Sequence, residues 1–193
     1  MRGDKTLTDS TTATVTYTNR KGDTYYLGAS PTKGGKRRFV FARQPSGEPV
    51  AELPSGYEIR ENVHGQVSLG KITASAISDL ELRQVMAALN AHPHLARCRV
   101  EVKGKSVIVY EAHNGVTEAM GDWEKCGLGV PTPGAMKSVE RWTRYIPVLR
   151  FNIIDAEART FAAERMCFRG SMEGWLSLHA IDRLGDLAIC RGW

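Results

Sequence analysis

The stretch Ile146–Phe168, IPVLRFNIIDAEARTFAAERMCF, sets two runs rich in β-branched and aromatic residues on either side of a short polar interval. Runs of this kind read as the strands of an antiparallel hairpin. With Asp155-Ala156-Glu157-Ala158 as the loop, Ile154 pairs with Arg159, Asn152 with Phe161, Arg150 with Ala163 and Val148 with Arg165. Alternation with period two then puts Arg150, Asn152, Arg159, Phe161, Arg165, Cys167 and Arg169 on one face. Leu149, Phe151, Ile153, Ala162, Met166 and Phe168 take the other face, which reads as core although Glu164 falls among them. A register slip of one residue would scatter the arginine set.

Downstream, Ser171 reads as the N-cap of a short helix, MEGWLSL. The free N–H groups at a helix start favour an anion. Arg150, Arg165, Arg169, Asn152 and Ser171 therefore make a candidate anion-binding surface, since the planar arginine fork suits phosphates and carboxylates. A solvated sheet face ending in an ordinary cap accounts for the same residues. Cys167, between Arg165 and Arg169, has the surroundings of a thiol with lowered pKa. A nucleophile needs a base, and only His113 and His179 are available to it; the alternative is a buried structural thiol.

Upstream, CRVEV and SVIVY flank Lys103-Gly104-Lys105 and read as a second hairpin, with Glu111 and His113 at its outgoing end. Before it, Leu80, Leu82, Val85, Met86 and Leu89 recur at helical spacing behind Ser78 or Asp79 as cap, and Pro93 ends the run. His92, His94 and Cys98 match no standard zinc spacing and lack a fourth ligand, so no metal site is read. Residues 113–143 are broken by glycine and proline, with a short helix over Val116–Lys125 as the one regular segment expected.

The N-terminal third is strand-like. TYYL and KRRFVFAR flank a loop at Thr32–Gly35, and YEIREN and QVSLGKI follow the proline-rich QPSGEPVAELPSG. The loop is no Walker phosphate loop: Ser30 stands where its first glycine belongs, and Arg37 follows Lys36 in place of a hydroxyl. No GxGxxG follows a strand, so no nucleotide cofactor is read. What remains is a basic strand, Lys36, Arg37, Arg38 and Arg43, with Phe39 and Phe41 between the charges. It is a candidate for stacking bases and pairing phosphates, or else a hairpin with its phenylalanines in the core.

Strands, one strong helix, then hairpins again indicate an α+β fold, with antiparallel β-hairpins and sheets packed around one main helix. The expected division is a flexible tail over 1–12, an N-terminal β module over 13–71 and a C-terminal α+β part over 72–193. The chain of 193 residues has a net charge of +5. Residues 1–71 hold 11 Lys and Arg against 7 Asp and Glu, and residues 72–193 hold 15 against 14, so the excess lies at the N-terminal end. Four cysteines without a CxxC pair, and no apolar leader or membrane-length run, suit free thiols in a cytoplasmic protein.

The segments TYYLGASPTKGGKRRFVFAR, LPSGYEIRENVHGQVSLGK, CRVEVKGKSVIVYEAH and VLRFNIIDAEARTFAAERMCFRGSMEGWLSL resemble a family of uncharacterised bacterial proteins. That resemblance implies a natural compact domain and carries over no activity or site residue. From the residues, the leading expectation is a non-enzymatic binding protein for an anionic partner, nucleic acid first. The alternatives are a small enzyme acting on a phosphorylated ligand through the C-terminal arginine face, and a protein-interaction module.

Overall fold

The computed structural model describes residues 14–92, 95, 97–113, 132–169 and 172–189. Two compact units divide the chain, one of residues 1–61 and 65–72, the other of residues 62–64 and 73–193.

In the first unit, β1 (Thr16–Thr18), β2 (Thr24–Pro31) and β3 (Arg37–Ala42) form an antiparallel sheet, and the short β4 (Glu48–Pro49) also pairs with β2. The β2–β3 register sets Leu27 against Phe41, and both are buried with Tyr25 and Val67. Gly28 is demanded by close approach: a Cβ there would lie 1.8 Å from the Ser46 carbonyl oxygen. A second hairpin, β5 (Tyr57–Glu61) and β6 (Val67–Lys71), contributes Ile59 and Leu69 to the same cluster.

In the second unit, β7 (Arg99–Lys103), β8 (Ser106–His113), β9 (Arg144–Asp155), β10 (Thr160–Arg169) and β11 (Met172–Arg183) form an antiparallel sheet in the order β11-β10-β9-β8-β7. Helix α1 (Asp79–Asn90) begins at a full capping box: the Ser78 hydroxyl accepts from the Glu81 N–H, and the Glu81 carboxylate accepts from the Ser78 N–H. Its Val85, Ala88 and Leu89 pack on Val107, Val109, Leu149 and Phe151, together with Leu184 and Leu187 of α3 (Leu184–Ile189). The chain is thus rich in antiparallel sheet. Its strongest helix shares the core with α3 on one sheet face, and Leu80 and Met86, counted with its apolar stripe from sequence, are exposed. Strand β8 is apolar from Val107 to Tyr110 because both faces are covered there: Ile108 and Tyr110 are buried with Val63 and Tyr145, away from α1.

Three sequence expectations are corrected. MEGWLSL is strand, not helix; it lies in β11, which satisfies the outer edge of β10. The β9–β10 register is one residue away from that expected, because the turn is Ala156–Arg159, with Arg159 at φ 55°. After Asp155↔Thr160 the register shifts, so that Ile153 meets Phe161 and Arg150 meets Glu164. A helix also forms where sequence showed only breakers: α2 (Pro133–Trp142), capped by the Thr132 hydroxyl on the Ala135 N–H at 3.2 Å. The expected helix over Val116–Lys125 lies outside the described residues. At the outer strand, Ala162 opposes Ile181 but Glu164 opposes Ser177, so Leu178-His179-Ala180 bulge out, with His179 at φ 53°.

Candidate cavity in the fork of the five-stranded sheet

The shifted register separates the arginines. Arg150 points to the face away from α1, where its Nε donates to Glu164 Oε2 at 2.6 Å and its guanidinium lies 4.4 Å from the Trp175 ring centroid. Asn152 donates to the same carboxylate oxygen at 2.6 Å and accepts from the Ser106 hydroxyl at 2.6 Å. The cluster satisfies itself, and Glu164 is its centre, not an intruder in the core. Arg159 turns to α1, donating from Nε to Glu81 Oε1 at 2.9 Å and through a terminal nitrogen to Oε2. Burial pushes the Glu81 carboxyl up, but Arg159 and Ser78 outweigh it and hold the group below its usual range. Of Arg169 only the backbone, and of Ser171 nothing, falls within the described residues.

Arg165 lies on the opposite face from Arg150, beside Leu149. This pair is also the last of the β9–β10 ladder. Beyond it, among the described residues, residues 144–147 of β9 pair only with β8, Val148 falls at the register shift, and residues 166–169 of β10 pair only with β11. Pro147 explains the parting. It has no amide hydrogen to donate, and it sits where the β8–β9 register shifts, so β9 bends away from β10.

The fork holds a cavity of about 440 Å³. Ile146, Val148 and Leu149 line it from β9, and Met166 and Phe168 from β10. Leu89 and Leu95 close the helix side, and Val109 reaches in from β8. Its polar groups are Arg165, Glu111 and Cys98. Among the described residues neither Arg165 nor Glu111 has an ion-pair partner. Glu111 on β8 pairs with Ile146 and Arg165 on β10 with Leu149, so the two positions lie on opposite flanks of β9 and are offset by three residues, roughly 10 Å, along it. Burial foremost, and then the Glu111 charge, push the Cys98 thiol up from 9.0 to about 11, so it is held protonated. Cys98 and Cys167 are free thiols, and among the described residues no group of three His, Cys, Asp or Glu could hold a metal.

On the basic strand of the first unit, Arg37 is ion-paired with Glu48 at 2.6 Å and Arg43 with Asp23 at 3.1 Å. Phe41 is buried, and Phe39 is half-buried at 6.4 Å from the Tyr57 ring. The phenylalanines belong to the core, and no stacking platform forms on that strand. Lys36 and Arg38 are exposed without a carboxylate partner among the described residues.

Sequence reasoning named Arg165, Glu111 and Cys98 separately, without the cavity that joins them. The one available signal was Pro147 inside a strand run, which marks an edge or a bulge. Among the described residues no helix is long and apolar enough to cross a membrane. Compared with known protein families, with curated proteins and with solved structures, the chain matches none.

Proposed function

We propose that the second unit is a non-enzymatic binding module for an anionic partner with an apolar body. The anionic group sits against Arg165, and the body fills the fork between β9 and β10. The observation that carries this reading is the cavity itself. Its volume lies in the range of small-ligand sites, its walls are apolar, and its one cation lacks a partner among the described residues. A thiol held protonated supports binding over nucleophilic chemistry at this place.

Calorimetric titration with decanoate tests it. Decanoate should bind the wild type, and Arg165→Gln should weaken it by about tenfold or more, the scale of a charged hydrogen bond. Equal binding by the two proteins would overturn the reading. A second reading, nucleic acid at the first unit, is favoured by Lys36 and Arg38, which lack a carboxylate partner among the described residues, and by the basic excess of residues 1–71.

A further inference from the structure

We infer that the fork between β9 and β10 is a receptor for the C-terminus of an extended peptide, which enters as a guest strand with its terminal carboxylate on Arg165. The inference rests on the anion-binding reading above and specifies its ligand. Both walls of the fork are strands whose facing edges lack a strand partner among the described residues, residues 144–148 on one side and 166–169 on the other. Such edges present backbone donors and acceptors, which an extended chain satisfies and an alkyl chain does not.

The vertex fixes which end of the chain enters. At Leu149↔Arg165 the two strands rejoin, so no guest can pass through and a terminus must lie there. The charged group at the vertex is a guanidinium, which selects a carboxylate over an ammonium. A chain entering C-terminus first runs antiparallel to β10, which leads away from the vertex. It therefore pairs in the more stable sense with the edge that keeps all its amide hydrogens, and lies parallel to β9, where Pro147 has none to give. Glu111, on β8 level with Ile146 and lining the cavity, favours a long basic side chain about three residues from the guest's end. Ile146, Met166 and Phe168 favour apolar residues between.

The test uses fluorescein-labelled Ser-Lys-Val-Leu-Val with a free carboxylate, the same peptide amidated, and decanoate, each titrated into the full chain. The free acid should bind, and amidation should weaken it about tenfold or more. Arg165→Gln should abolish the difference between acid and amide, while Arg183→Gln, at an exposed position of β11, should preserve it. Peptide, but not decanoate, should slow amide exchange at residues 166–168. Equal affinity for acid and amide overturns the inference, as does peptide binding without slowed exchange. Decanoate binding with no peptide binding also overturns it and leaves the anion-binding reading standing. If neither ligand binds, both fall.

Discussion

Cys98 shows how strongly a single side chain is governed by where it is put. A cysteine between a helix and a sheet loses solvent around its thiolate, and a carboxylate nearby adds repulsion, so the proton stays on to about pH 11. At pH 8 the thiolate fraction is on the order of one in a thousand. Site-resolved iodoacetamide labelling should find Cys98 slow at pH 8 and accelerating between pH 9 and 11. Glu111→Gln, which removes the second cause, should bring that acceleration to lower pH. Labelling at pH 8 as fast as an unfolded control would refute the account. The linkage has a definite sign. The unfolded thiol ionises near 9.0 and the folded one near 11, so the stability contribution is intact below pH 9 and lost as pH rises between the two.

At the scale of elements, the Ala156–Arg159 turn decides more than its length suggests. Arg159 takes a left-handed conformation, which strains any side chain, and its guanidinium is held by Glu81 at the start of α1. Arg159→Ala and Arg159→Gly both release Glu81, at about 2 kcal/mol, but only glycine relieves the backbone. Urea unfolding should therefore rank wild type first, then Arg159→Gly, then Arg159→Ala, the last two about 1 kcal/mol apart. If alanine equals glycine, the positive φ carries no cost. The same turn explains why much of the fold was legible and the site was not. Alternation in β9 and β10 and the hairpin form around Lys103-Gly104-Lys105 announced strands, and helical apolar spacing behind Ser78 or Asp79 announced α1. Alternation specifies register only modulo the turn, and a left-handed arginine leaves no mark that composition can show. One residue of shift sent Arg150 to Glu164 and Arg165 to the cavity. Trp175 and Leu176 read as helix from sequence; the open edge of β10 decided for strand. The cavity was beyond local pattern altogether, because its walls come from α1, Leu95, β8, β9 and β10.

At the scale of the whole molecule, charge and chemistry are divided between two units. Residues 1–71 carry a net +4 and residues 72–193 a net +1, so most of the basic excess lies in the first and the fork lies in the second. If the first unit grips phosphates, affinity for a single-stranded oligonucleotide should fall steeply with salt. A Lys36→Ala, Arg38→Ala variant should then flatten the logarithmic salt slope by about one to two units. An unchanged slope, or no binding at low salt, would remove nucleic acid from consideration. The outer strand β11 bears on a different property, the company the molecule keeps with its own copies. Twelve residues long, with Leu176 and Ile181 exposed, it is the kind of rail along which identical chains stack into fibres. The bulge at Leu178-His179-Ala180 breaks that rail near its middle, and the left-handed His179 turns the backbone out of line. Beyond it only residues 181–183 remain in register, so the straight part of that edge is cut to the six residues 172–177. A kink that looks like imperfect pairing thus shortens the edge along which a second copy could add itself.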